Sequence, residues 1–187
     1  MKQIGILGGT FDPPHIGHLI IAEEVRLALS LEQVWFMPSN IPPHKEKAKI
    51  DAQDRVKMVR LATENNPNFV VNTIEIERLG KSYTFDTMKI LKNEHPDKEF
   101  YFIIGADMVE YLPKWQSIDQ LMELVKFIGV KRYEHDLKTN YPIIEVSVPT
   151  IEVSSTGLRK RLANRQSVRY FIPDKVEAYI KEKHLYE

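Results

Sequence analysis

The sequence predicts a doubly wound α/β fold: a mostly parallel sheet with helices on both faces. Three observations carry this. Short apolar runs alternate with longer segments of helical spacing along the whole chain. One of those runs, Glu99–Gly105 (EFYFIIG), is apolar nearly throughout, as a strand covered on both sides must be. The first run ends in paired glycines with a helical pattern behind them, the arrangement of a βα turn in a parallel sheet.

Taken in order, Lys2–Leu7 reads as a short buried strand, and Ile16–Ser30 as a helix with Leu19, Ala22, Val25 and Leu29 at helical spacing. Gln33–Met37 is the second strand, followed by a loop, Pro38–Lys49, stiffened by Pro38, Pro42 and Pro43. Asp51 has the form of an N-cap for a helix whose apolar side carries Val56, Val59 and Leu61. Phe69–Asn72 is strand-like, and Thr84–Asn93 is helical with Thr84 as its cap. After the central strand, Ser117 with Gln120 three residues on has the form of a capping box before Leu121–Val125. Lys126–Lys131 and Ile143–Val148 are further strands, and Ser155–Ala163 and Asp174–Lys183 are helices. With no internal repeat, low-complexity tract or linker, residues 1–187 read as one Rossmann-like domain.

Composition narrows the class of ligand. Apolar residues make up 43% and charged residues 28%, a globular balance. Basic and acidic residues number 26 each, so no global field draws the protein to nucleic acid or to an anionic membrane. An anion must be held by a local site, which favours a small phosphorylated ligand. The absence of cysteine removes disulfides, thiolate metal sites and thiol nucleophiles. No signal-peptide pattern or membrane-spanning stretch is present, and a cytoplasmic location is expected.

The first strand leads into Gly8-Gly9-Thr10-Phe11-Asp12-Pro13-Pro14-His15-Ile16-Gly17-His18. Glycines let a ligand approach the backbone, and the following helix start offers free N–H groups and a positive dipole end for phosphate. His15 and His18 are three residues apart, so both rings project to one side of the first turn, with Gly17 leaving room between them. A surface pair or a partial metal site is the competing reading for two such histidines. The chain carries neither a G-x-G-x-x-G fingerprint nor a GxxxxGK[ST] loop.

Ser154-Ser155-Thr156 at the start of a late helix, with Arg159 one turn on, forms a second anion seat. Lys160, Arg161, Arg165 and Arg169 nearby read as a solvated face. The proline loop can present His44 and Lys45 to a phosphate. Tyr83-Thr84 opens a helix whose N-terminus suits a carboxylate, and Tyr111 and Trp115 flank an irregular stretch where an indole can stack on an aromatic ring. Gly105 and Asp107 end the central strand, where ligands bind in open α/β sheets, and Arg132 ends the next one.

GGTFDPPHIGH resembles the signature of the HxGH nucleotidyltransferase superfamily. Within it, the chain is similar to bacterial nicotinate-nucleotide adenylyltransferases from Lys2 to about Leu185, through five separated motifs. The resemblance implies adenylyl transfer from ATP to nicotinate mononucleotide, giving nicotinate adenine dinucleotide and pyrophosphate in NAD biosynthesis. It implies catalytic roles for His15, His18 and Arg159, with Gly8, Gly9, Thr10, Phe11, Gly105, Asp107, Arg132, Ser154, Ser155 and Thr156 on ATP. It places Asn40, His44, Lys45, Tyr83, Thr84, Tyr111 and Trp115 on the mononucleotide. Where relatives follow Arg132 with proline, this chain has Tyr133 and Glu134, a departure at the adenine contact. Mg2+ is expected to arrive with ATP rather than in a protein cage. Expected partners are the two nucleotides, with neither nucleic acid nor a membrane, and a homo-oligomer is left open. The rival readings are a phosphopantetheine adenylyltransferase or cytidylyltransferase, a non-catalytic nucleotide sensor, and an NAD-dependent redox enzyme.

Overall fold

A computed structural model of the chain describes residues 1–41, 48–78, 80–132 and 137–187, and of Arg132 the backbone only. Among the described residues six strands form one parallel sheet in the order β3-β2-β1-β4-β5-β6. The strands are β1 Lys2–Gly9, β2 Gln33–Pro38, β3 Phe69–Val71, β4 Lys98–Gly105, β5 Lys126–Arg132 and β6 Ile143–Val148. Each pairs parallel to its neighbour, so the sheet is parallel throughout. The helices are α1 Ile16–Ala28, α2 Ala52–Thr63, α3 Ile74–Glu77, α4 Thr84–Glu94, α5 Ala106–Tyr111, α6 Ile118–Leu124, α7 Ser155–Ala163 and α8 Asp174–Glu182. A 3-10 turn, Leu112–Lys114, links α5 to α6.

Both faces of the sheet are covered, which is why its strands are apolar at consecutive positions. Along β4, Phe100, Phe102 and Ile104 pack into one core with Ile4, Ile6, Leu121 and Phe127. Tyr101 and Ile103, pointing the other way, join Ala22, Val25, Phe36 and Val130. A third cluster docks α7 and α8 on α2 through Leu158, Val168, Ile172, Val176, Ile180 and Met58.

The chain winds outward from β1 to β3, then returns to β1's other side at β4. That reversal opens a crevice at the carboxyl ends of β1 and β4. Leu7 sits opposite Ile103 in register, so Gly8-Gly9 and Ile104-Gly105 end side by side at this crevice.

The structure differs from the sequence reading at several element ends. Ser117 has φ 52° and makes no side-chain cap, because its turn precludes the extended N-cap geometry; the expected capping box is absent. Tyr83, not Thr84, is the N-cap of α4, and Thr84 is its first helical residue. Asp51 does cap α2, accepting from the Gln53 amide at 2.8 Å. The short helices α3 and α5 were not anticipated.

Candidate active site

At the crevice lies a cavity of about 580 Å³. Its lining includes Gly8, Gly9, Thr10 and His18 from the end of β1 and the start of α1, and Tyr83, Thr84, Gly105, Asp107, Tyr111 and Trp115 from the segments around α4 and α5. The loop at the end of β1 and the α4–α5 groups, far apart in sequence, thus face one space.

The histidines lie as their spacing requires. His15 is extended at the N-cap of α1, and its ring stacks on His18 with centroids 3.7 Å apart at 25°. His18 Nδ1 accepts the His15 backbone N–H at 3.2 Å. A neutral imidazole that accepts at Nδ1 carries its proton on Nε2, so His18 is held as an Nε2–H donor. His15 is buried, and burial pulls its pKa down to about 4. At neutral pH it is therefore an uncharged ring. Two of the first-turn amides of α1 are already used: Ile16 N–H on the Phe171 carbonyl at 2.9 Å and His18 N–H on the His15 carbonyl at 3.0 Å. The amide seat expected there is correspondingly narrower.

The paired glycines have a reason the sequence did not disclose. A Cβ on Gly9 would lie 3.1 Å from the Phe11 ring, and one on Gly8 would lie 3.2 Å from Phe102. Phe11 itself is buried with φ 51° and meets His18 edge-on at 5.0 Å. It supports the loop from beneath and does not line the cavity. A Cβ on Gly17 would be 3.0 Å from both His15 Nδ1 and Val153 Cγ1. Gly105 is the exception: its backbone is ordinary (φ −75°), and a Cβ there would meet nothing within 4 Å.

The second motif is tied to the first. Ser154 caps α7, accepting from Gly157 N–H at 3.1 Å. Ser155 Oγ donates to the Pro13 carbonyl at 2.9 Å and Arg159 Nη1 to the Asp12 carbonyl at 2.8 Å. Arg159 Nη2 also reaches Thr156 Oγ1 at 3.2 Å. Lys160, Arg161, Arg165 and Arg169 are exposed, the solvated face read from the sequence.

On the acceptor side, Trp115 packs edge-on to Phe102 and Phe127, with centroids 5.8 and 5.7 Å away. Lys114 Nζ lies over the Tyr111 ring at 5.0 Å. Asp107 is exposed in the first turn of α5, whose N-cap is Gly105. Asn40 does not line the cavity. Its backbone N–H donates to Ser82 Oγ at 3.0 Å and its side chain to the Gly80 carbonyl at 3.3 Å, joining the loop after β2 to the start of α4. His44 and Lys45 lie outside the described residues, as does the Arg132 side chain.

Sequence reasoning missed several groups. Glu75 on α3 lines the cavity, accepts from Thr87 Oγ1 at 2.9 Å, and has its pKa raised by burial. Arg55 is fully buried in α2 and donates to the Thr10 carbonyl at 2.7 Å; burial lowers its pKa against the opposing pull of Asp12. The Asp12 carboxylate is buried and accepts from Tyr186 Oη at 2.7 Å and Lys49 N–H at 2.9 Å. Asp12 stood inside the motif as a visible signal; nothing marked Arg55 or Tyr186.

A parallel sheet in this order, with a histidine-bearing βα turn at its switch point, defines a nucleotidyltransferase of the cytidylyltransferase-like class, whose family model matches residues 6–161. The nicotinate-nucleotide adenylyltransferase of Bacillus subtilis is 51% identical over 188 residues, covering all of both chains. A Bacillus licheniformis protein, named as a probable nicotinate-nucleotide adenylyltransferase, is 55% identical, again over the whole of both. The chain belongs to the nicotinate-nucleotide adenylyltransferase family. Its fold matches that of the Plasmodium falciparum nicotinic acid mononucleotide adenylyltransferase solved with NaAD, with a TM-score of 0.81, 21% identity, and coverage of 100% and 98% of the two chains.

Proposed function

We propose that the enzyme joins ATP and nicotinate mononucleotide into nicotinate adenine dinucleotide. A 5′-phosphate oxygen of the mononucleotide attacks the α-phosphorus of ATP; the bond to the α,β-bridging oxygen breaks, and pyrophosphate leaves. The observation that carries this reading is that the His18 loop and Trp115 line one and the same cavity. A phosphate monoester is already nucleophilic near neutral pH, so the protein's work is positioning and charge stabilisation.

In this reading His18 donates its Nε2–H to the α-phosphate, and His15 keeps it in that tautomer through its backbone N–H. Gly8–Thr10 line the donor's phosphates and Gly105 and Asp107 the adenosine, with Phe11 acting from beneath. Ser155, Thr156 and the remaining donors of Arg159 hold the departing pyrophosphate at the head of α7. Thr84 and Tyr111 receive the nicotinate carboxylate, Tyr83 flanks them, and Trp115 stacks on the pyridine ring. Arg132, Asn40, His44 and Lys45 retain the roles the resemblance assigns them. ATP-dependent nucleotidyl transfer calls for a divalent cation. We take this to be Mg2+ bound to the triphosphate, where it neutralises charge on the phosphate oxygens. Among the described residues no group of three or more His, Asp or Glu side chains is placed to cage it.

The test supplies ATP with nicotinate mononucleotide, nicotinamide mononucleotide or phosphopantetheine and measures pyrophosphate. Release is expected to be fastest with the first, and preference for another acceptor overturns the substrate. His18→Ala is expected to fold normally and lose about 100- to 1,000-fold in turnover, the usual cost of one preorganised donor. Near-normal turnover removes His18 from the mechanism.

A further inference from the structure

The stretch Thr10–Pro13 continues the loop to which the proposed function assigns the triphosphate, and groups remote in sequence hold it. Arg55 takes the Thr10 carbonyl, Arg159 the Asp12 carbonyl and Ser155 the Pro13 carbonyl. The Asp12 carboxylate, only 3% exposed, is gripped on both oxygens: Oδ2 by the Lys49 amide and Oδ1 by the hydroxyl of Tyr186, 174 residues downstream. A phenol donating to a buried carboxylate at 2.7 Å is a charge-assisted bond of the strong kind.

Tyr186 lies beyond residues 6–161, the part of the chain that the family model matches. After α8 the chain turns back, with Leu185 N–H on the Ile180 carbonyl at 3.0 Å, and Tyr186 itself sits at φ 69°. A side chain other than glycine adopts that left-handed backbone only where its surroundings hold it. The hydroxyl is directed inward, and burial together with the Asp12 carboxylate holds its pKa far above the ordinary phenol value. From Asp12 the chain leads in one step to Phe11, whose ring fills the space over Gly9 and meets His18 at 5.0 Å.

We propose that Tyr186 is a positioning residue for adenylyl transfer: its hydroxyl fixes the Asp12 carboxylate, and through Asp12 and Phe11 it sets the phosphate loop and the His18 ring. The inference rests on the function proposed above, since it assigns the ATP phosphates to that loop.

A second tyrosine supplies the control. Tyr179, on α8, donates to Asp54 Oδ1 of α2, also at 2.7 Å, and so ties the C-terminal part of the chain to α2 rather than to the loop. Tyr186→Phe and Tyr179→Phe are compared by thermal melts, by kcat and KM for each substrate, and by calorimetric affinity for a non-hydrolysable ATP analogue. Tyr186→Phe is expected to lower kcat about tenfold, with KM for the mononucleotide unchanged and analogue binding several-fold weaker, the loss of one bond to a charged group. Tyr179→Phe is expected to lower the melting temperature comparably and leave turnover unchanged. In an Asp12→Ala background, which itself slows turnover, adding Tyr186→Phe is expected to cost less than about twofold, because the path through Asp12 is already broken.

Wild-type kcat and analogue affinity in Tyr186→Phe overturns the proposal. So does an equal kcat loss in Tyr179→Phe, which would make the effect one of helix docking, or a full further tenfold loss in the Asp12→Ala background. Should Tyr186→Phe fail to fold, Asp12→Ala alone decides, since wild-type turnover there excludes any route through Asp12. The analogue measurement does not depend on the acceptor. A wild-type enzyme that binds the analogue yet ignores nicotinate mononucleotide would overturn the substrate and leave the binding test of Tyr186 standing.

Discussion

Gly105 offers the cleanest separation of ligand contact from folding. It ends β4 at the crevice with φ −75° and ψ 166°, a conformation open to any residue. A Cβ added there would meet no protein atom within 4 Å. Gly105→Ala therefore introduces no strain and no clash. It loses part of a favourable N-cap, about 1 kcal/mol, and regains about 0.4–1 kcal/mol from the less flexible unfolded chain. The net is close to zero, a melting shift of no more than about 3 °C in a chain of this size. If adenosine packs against the backbone here, the methyl occupies ligand space, and overpacking of that kind costs about 1–3 kcal/mol. That corresponds to about a 5- to 160-fold rise in KM for ATP, at 1.36 kcal/mol per decade. Gly105→Leu, which places more atoms in the same space, should raise KM for ATP further. The assay is pyrophosphate release at varied ATP, alongside melts of each variant. Gly105→Leu with wild-type KM for ATP would refute the reasoning, because the space would then be solvent.

Other positions make separate claims. Arg55→Met removes the donor on the Thr10 carbonyl and a cation whose charge acts on the buried Asp12 carboxylate; about 1–3 kcal/mol of stability should go, the usual cost of leaving a buried acceptor unsatisfied, and a urea transition matching wild type would contradict the network. For His15, the folded pKa of about 4 lies below the ordinary 6.5, so between these values the unfolded chain binds a proton that the folded one excludes. Stability from this group is complete above pH 6.5 and falls as pH drops toward 4, by about 3 kcal/mol at most. His15→Asn should accordingly melt with a weaker pH dependence than wild type over that window, and parallel melting curves would show that His15 is not buried neutral.

How much of this was written in the sequence depends on the range of the interaction. The strands were legible from their apolar residues: β4 is buried continuously from Phe100 to Ile104, whereas β6, at the sheet edge, alternates buried Val146 and Val148 with exposed Glu145 and Ser147. The helices α3 and α5 span four and six residues, too short to display a 3.6-residue period, and were invisible. Ser117 failed as a cap because the local motif does not specify the left-handed backbone that the turn after Trp115 imposes. Within the site, whatever lies on one contiguous stretch could be read: the stacked histidines follow from i, i+3 spacing and the Ser154 cap from its place before α7. The bonds that hold the stretch in place could not. Arg55 reaches back 45 residues and Tyr186 174, and no periodicity links such positions.

The glycines make the same point more sharply. Gly9 and Gly105 end adjacent strands at one crevice and carry the same meaning in sequence: room for a ligand. In the fold, the room beside Gly9 is taken by Phe11, so any larger residue there would disturb the loop whether or not a nucleotide binds. The room beside Gly105 is open, and the fold has no use for a glycine at that φ and ψ. A substitution at Gly9 therefore mixes folding with binding, whereas one at Gly105 isolates binding. The same residue type thus serves packing at one strand end and, on the present reading, the ligand at the next.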